Sequence, residues 1–268
     1  MLEKIKQRYH YSVILLRELV ITDFKLRYQS SFLGYVWSLL RPLALFVILY
    51  FVFVKFLRVG ESVEHFPVYL LFGIVIWNYF SEVTNNGVSA IVSRGDLLRK
   101  LNFPKYVIVL AGSFSALINL GLNLLVVTVF AVINDVPLLG SLIWLPLLIV
   151  ELFILALSMA FLLSALFVKI RDVNYIWEVI MQGAFYATPI LYPLSIIPEL
   201  AQKILILNPV AQIIQDIRYV AITHDSATIG DVYGSEWARL IPLAIVSLIT
   251  VVSVAYFKSQ SKYFAEEV

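Results

Sequence analysis

An all-α integral membrane protein with six transmembrane helices is the fold class that this sequence predicts, on three observations. Of its 268 residues, 61% are hydrophobic and only 14% are charged, against about 45–50% and about 25% in an ordinary soluble domain. Runs free of Lys, Arg, Asp and Glu recur at 65–81, 106–134, 152–168, 179–198 and 240–257. These runs also exceed the roughly ten-residue alternating segments from which membrane barrels are built. So much apolar surface excludes a soluble enzyme and a disordered scaffold. A net charge of +2 is too small for a nucleic-acid partner. The absence of cysteine excludes disulfides and thiolate metal sites.

The elements follow in order. Tyr11–Gln29 places apolar Val13, Leu16, Val20 and Phe24 three and four residues apart, with Arg17, Asp23, Lys25 and Arg27 on other faces. This pattern predicts an amphipathic helix, 11–29, lying in the membrane interface. The first span is expected over 36–57, where Arg41 and Lys55 can snorkel from a short apolar run. Further spans are expected over 66–92, 106–133, 143–168, 175–192 and 240–257, each near the ~20 residues that cross ~30 Å of hydrocarbon. A turn at Pro137–Gly140 precedes the fourth. Pro189, Pro193 and Pro198 break the fifth apolar run, and Asn208-Pro209 carries the cap and first-turn residues of a new helix. Val210, Ile213, Ile214, Ile217 and Val220 then recur with helical period. Segment 193–222 therefore reads as a short helix, a break and an amphipathic helix. It either enters the membrane where protein satisfies its backbone or lies on the surface as an external loop. Segment 223–239 is the candidate for a mobile loop.

The positive-inside rule sets the orientation. Placing both termini in the cytoplasm puts 15 of the 20 Lys and Arg residues inside and leaves Lys55, Arg58, Lys203, Arg218 and Arg239 outside. The charged first 30 residues do not suit a cleavable signal.

Catalytic chemistry has little to build on. No G-x-x-x-x-G-K-[ST] loop is present to cradle ATP phosphates, and His10, His65 and His224 are scattered without metal-ligand spacing. Glu82 and Glu151 are the acids nearest bilayer depth. Each is either an ion-coupling group or an isolated acid facing the bundle. Aromatic side chains are abundant, at 14% of the chain. Phe46, Tyr50 and Phe53 share one face of the first span, and Tyr186 and Tyr192 lie in the proline-broken fifth. They read either as lipid-facing packing and interfacial anchors or as the lining of a conduit whose rings stack on sugar faces. Phe130 is expected near the outer end of the third span, away from such a path.

Four segments, taken together, resemble the membrane subunit of ABC-2-type exporters of polysaccharides and teichoic acids. They are Asp23-Phe24-Lys25-Leu26-Arg27-Tyr28-Gln29 continuing through Trp37 to Arg41-Pro42, then Leu97–Lys105, Arg171-Asp172-Val173, and Thr188-Pro189-Ile190-Leu191-Tyr192-Pro193 with Asn208-Pro209. Their order and spacing cover nearly the whole chain as one transmembrane domain, 1–268. Thr188 stands where the family often has Ser.

The resemblance implies a homodimer with two copies of a separate cytoplasmic ATPase subunit. ATP and Mg would belong to that partner, with no cofactor in this chain. It further implies an axial channel for a lipid-linked polysaccharide and re-entrant helices between the fifth and sixth spans. The basic loop Arg94, Asp96, Leu97, Leu98, Arg99, Lys100, Phe103 and Pro104 would dock into the ATPase, its apolar members filling a cleft. Phe46, Tyr50, Phe53, Tyr186 and Tyr192 are then expected to line the channel. The setting implied is the cytoplasmic (inner) membrane of a bacterium or archaeon. An O-antigen-like cargo comes first, with teichoic acid, capsule, or a drug or lipid as alternatives. A membrane-embedded transferase would need clustered acids, histidines or a metal site.

Overall fold

The computed structural model describes residues 2–28, 34, 36–57, 63–100 and 103–267, with side chains from residue 11 except 24, 26–28 and 265. The described residues form helices and no strand. The N-terminal helix α1 (Leu2–Tyr28) begins earlier than the interface helix expected at 11–29. Leu15, Leu16 and Leu19 turn inward against the core, while Tyr11, Val13 and Ile14 are exposed. The helix packs on α5.

Helix α2 (Val36–Tyr50) runs into a π-helical turn, Phe51–Phe56, giving 21 continuous residues. At 1.5 Å per residue that is about 31 Å, enough to cross the hydrocarbon. Helix α3 (Phe66–Ser89) is the centre of the bundle, with 17 of its 24 residues buried. It touches α2, α5, α6, α7 and α9. A 3₁₀ turn and the short α4 (Gly95–Lys100) lead to α5 (Tyr106–Ile133). Helix α6 (Leu145–Lys169) is extended at its start by the 3₁₀ turn Gly140–Trp144.

Among the described residues, five helical stretches are long and apolar enough to cross a membrane: 36–56, 66–89, 106–133, 140–169 and 236–260. Where the sequence expects another span at 175–192, α7 (Val173–Ala187) has only 15 residues, about 22 Å. It stops at Thr188, whose extended backbone (ψ 136°) is the conformation that a following proline favours.

The chain then breaks, forms α8 (Glu199–Leu205), breaks again and forms α9 (Pro209–Ala221). The Asn208 side chain caps α9 by accepting from the Val210 N–H at 3.1 Å. Segment 223–239, expected to be a mobile loop, is instead folded. Asp231 accepts from both the backbone and the hydroxyl of Thr228 at the start of α10 (Ile229–Tyr233), and Tyr233 donates to the Lys203 carbonyl of α8. Leu194, Ile206, Ile229 and Ala238 give this cap its own small core. The last long helix, α11 (Leu240–Gln260), packs on α6 and ends in α12 (Phe264–Glu267).

Helices α3 and α6 meet through small residues. A Cβ at Gly87 would lie 2.5 Å from Ala160 Cβ and 2.8 Å from its Cα, so neither partner can yield without moving a backbone. Small residues at such crossings let helix backbones approach closely in membranes. Gly87→Ala should therefore lower the thermal midpoint of the detergent-purified protein, by an overpacking cost of about 1–3 kcal/mol. Gly121→Ala, on α5 with nothing within 4 Å, should leave the midpoint unchanged or raise it, since alanine favours the helix.

Candidate functional site

Three polar constellations interrupt the apolar bundle. The first sits where the proline-broken segment meets α3. Arg218, on α9, has no solvent exposure. Its guanidinium donates to the carbonyls of Tyr69 (3.1 Å), Pro189 (2.6 Å) and Ile190 (2.8 Å), and to Gln215 Oε1 (3.1 Å). It also lies 3.4 Å from the centroid of the Tyr69 ring, close enough for strong cation–π attraction. The Tyr69 hydroxyl donates to Gln215 in turn. Pro189 and Ile190 lie beyond the end of α7 in non-helical chain, so their carbonyls have no intrahelical donors, and at membrane depth protein has to supply them. Arg218 supplies them, with five N–H donors in a fixed fork. Gly73 keeps the space open, because a Cβ there would sit 2.5 Å from the Arg218 guanidinium. The sequence counted Arg218 among the external positive charges. It is a buried structural cation, and its charge reports nothing about topology.

The second constellation is a cavity of about 520 Å³ between α2, α3 and α5. Asn78, Glu82, Asn85 and Asn86 line one wall from α3, and Asn119 and Asn123 line the other from α5. Asn119 donates to Glu82 at 2.9 Å. Trp37 and Arg41 of α2 stand at its edge. Of the two acids singled out in the sequence, Glu82 belongs to this cavity. Glu151 lies on α6, within electrostatic reach of Asp216 on α9. The sequence reading passed over the amides, although Asn78, Asn85 and Asn86 fall at i, i+7 and i+8 and Asn119 and Asn123 at i and i+4. That helical periodicity was the available signal.

The third constellation lies at the end of the bundle that carries α4 and α12. Arg94 pairs with Asp23 of α1, so the basic loop and the N-terminal helix are tied together. A smaller cavity of about 270 Å³ surrounds this pair and shares Asn86 with the larger one. Lys105 donates to the Ser261 carbonyl at 2.5 Å, and α12 packs on α4. Desolvation lowers the pKa of Lys105, against the opposing pull of Glu266.

Within the loop, Asp96, Leu97, Arg99 and Lys100 are exposed, and Pro104 is half-buried. Leu98 and Phe103 are buried within this chain, which leaves Leu97 as the apolar residue of the three that an outside surface can reach. On α1, Arg17 and Lys25 are exposed and Asp23 is half-buried. The side chain of Arg27 lies outside the described residues, as do residues 29–33 and 35 of the first family-like segment.

The expected channel rings are split. Phe46 is buried, 5.8 Å from Tyr50 and 5.3 Å edge-on to Phe130. Phe130, expected to lie apart from these rings, is therefore one of their neighbours. Tyr50 and Phe53 are half-buried against the core. Tyr186 is 68% exposed, and the Tyr192 hydroxyl donates to its carbonyl at 2.9 Å.

The sequence profile of the ABC-2 type transporter family matches residues 14–222. An O-antigen export system permease protein RfbA of Myxococcus xanthus is 28% identical over 271 residues, covering 100% of both chains. A Klebsiella pneumoniae protein of the same name is 30% identical over 213 residues, 78% of this chain and 82% of that one. The polysialic acid transport protein KpsM of Escherichia coli is 22% identical over 246 residues, 91% of this chain and 92% of that one.

Arg218→Met should strand the carbonyls of Pro189 and Ile190, at a cost of roughly 1–3 kcal/mol for each buried group left unpaired. Since the chain has no cysteine, Leu191→Cys, at a site 3% exposed, offers a clean reporter. A water-soluble thiol reagent should spare it beside Arg218 and label it beside Met. Arg218→Lys should give intermediate labelling, because one ammonium cannot reach all three carbonyls.

Proposed function

Because the chain belongs to the ABC-2 type transporter family, we propose that it is the membrane permease subunit of an ATP-driven exporter of a lipid-linked polysaccharide. The observation that carries this reading is the full-length likeness to O-antigen export permeases, together with polar cavities inside an otherwise apolar bundle. On this reading the permease is a homodimer and works with two copies of a separate ATPase, which would bind ATP and Mg. It sits in the cytoplasmic membrane with both termini inside, and an O-antigen-like glycan is its cargo. The exposed faces of α2 and α7, with Ile48, Phe51, Tyr175 and Val179, are the surfaces offered to the second copy and to the path between them.

The end with Asp23, Arg94 and α4 is then the ATPase-facing end. Exposed Leu97, Arg99 and Lys100 offer an apolar contact flanked by two cations. A push on α4 would pass through the Arg94–Asp23 pair to α1 and along α5. In cells that make such a glycan, removing this chain should leave the lipid-linked polymer inside and the surface unstained by glycan-specific antibody. Undiminished surface glycan would refute the reading.

Two variants address the machinery. Arg99→Glu with Lys100→Glu should abolish ATPase co-purification, or uncouple ATP hydrolysis from export, while the permease keeps its thermal midpoint. Tyr50→Ala with Phe53→Ala should reduce export and admit small solutes, measured by dye efflux from proteoliposomes, while the ATPase stays bound. Leu125→Ala, on the exposed face of α5, should change neither.

A further inference from the structure

We propose that the cavity between α2, α3 and α5 is a carbohydrate-binding site that takes the first sugars of the lipid-linked polymer before they enter the path between protomers. The inference rests on the export reading above and adds a site within one protomer.

The cavity's chemistry selects its ligand. At about 520 Å³ it falls in the ~300–1,000 Å³ range of small-molecule sites. Its walls are amides, the groups that both give and accept hydrogen bonds and so match vicinal hydroxyls whichever way these point. Asn78 and Asn86 make no side-chain hydrogen bond among the described residues, and two deeper groups also wait for partners. The Tyr79 hydroxyl, on a residue only 2% exposed, is buried without a partner, and so is Asn119 Oδ1. A buried polar group without a partner is destabilising, so a ligand or water that satisfies it binds favourably.

Other ligand classes fit less well. Among the described lining residues Glu82 is the only acid and Arg41 the only cation, so this wall suits neither a metal ion nor a polyanion. An apolar drug would desolvate six amide and carboxylate side chains with nothing in return. A neutral polyhydroxylated ligand can bond those that remain open, Asn78, Asn86 and Asn119 Oδ1. Trp37, 52% exposed at the edge, supplies a flat face for a sugar ring.

The position suits a loading site. Arg41 and Trp37 lie in the first two turns of α2, and Asn85 and Asn86 in the last turn of α3, so the cavity lies near the end of the bundle that holds α4. Asn86 also lines the smaller cavity around Asp23 and Arg94. Sugar bound at Asn86 is therefore adjacent to the pair that joins α1 to the cytoplasmic loop, and motion of that loop reaches the site directly.

The test places p-benzoylphenylalanine at position 85, on the exposed rim, or at position 48, on the exposed face of α2 outside the cavity. It is done in cells that assemble their own lipid-linked glycan. After irradiation the purified permease is stained for carbohydrate with periodate–Schiff reagent, and the cell surface is stained in parallel. The proposal expects a carbohydrate-bearing adduct at 85, at least tenfold above that at 48. Adding Asn78→Leu should cut the adduct at least fivefold, and Asn78→Gln should restore most of it, with co-purification of the ATPase unchanged in both. An adduct at 85 that carries lipid but no carbohydrate, equal adducts at both positions, or none at 85 would overturn the proposal. Surface staining separates the two readings. If export depends on this chain and position 85 gives no sugar adduct, only the cavity assignment falls. If export proceeds without the chain, the permease reading falls as well.

Discussion

A chain that breaks inside an apolar bundle needs donors for the carbonyls of the break, and in this protein Arg218 supplies them at Pro189 and Ile190, while the Tyr192 hydroxyl donates to those of Tyr186 and Ala187 at the end of α7. The Arg218 guanidinium gathers the carbonyls of Pro189 and Ile190 from the broken segment and that of Tyr69 from the central helix. One side chain thereby joins α9, the broken segment and the start of α3. A lone buried charge is ordinarily prohibitive. Here the cost is offset by four hydrogen bonds and the Tyr69 ring. The consequences run outward. With the break secured, α8 to α10 fold back as a cap over one end of the bundle, and α7 is free to end short with its outer face exposed.

The opposite end is organised by a different constraint. There α3 must approach α6 at Gly87 and also present polar groups to α2 and α5, so small residues and amides alternate along its last turns. Asn85 and Asn86 immediately precede Gly87 and line the cavity, so one element is tightly packed on one face and lined with hydrogen-bonding groups on another. The Asp23–Arg94 pair closes this end. It links the first helix, which rides on α5, to the loop that leads into α5. A displacement of the loop cannot leave the first helix or the neighbouring cavity unaffected.

The long spans were legible because length and the absence of charge suffice to mark them. The third expected span, 106–133, coincides with α5. Asn208-Pro209 was legible as a helix start because cap and first-turn preferences are local. Arg218 was not legible as a buried group, since a cation on an amphipathic helix ordinarily faces solvent, and only the carbonyls freed 29 residues earlier explain its burial. Leu98 and Phe103, expected to fill a cleft in the ATPase, are buried within this chain: hydrophobicity says that they need cover, and not whether the cover is this chain or another. The amide-lined cavity combines both difficulties. Each asparagine looks like an isolated polar residue, and their common face emerges only when α3 and α5 are set side by side. The capping of Thr228 by Asp231 was local and could have been read as a helix start in 223–239.

The central claim is that this chain, driven by a separate ATPase, moves a lipid-linked glycan across a membrane. Purified permease and its ATPase, reconstituted with that glycan in vesicles whose ATPase faces outward, test it most directly. An external glycosidase measures how much of the glycan remains outside. The account predicts that ATP makes the glycan progressively resistant to the enzyme, and that neither ATP without the permease nor the permease without ATP does so. Glycan that stays fully digestible while the complete assembly hydrolyses ATP would contradict it.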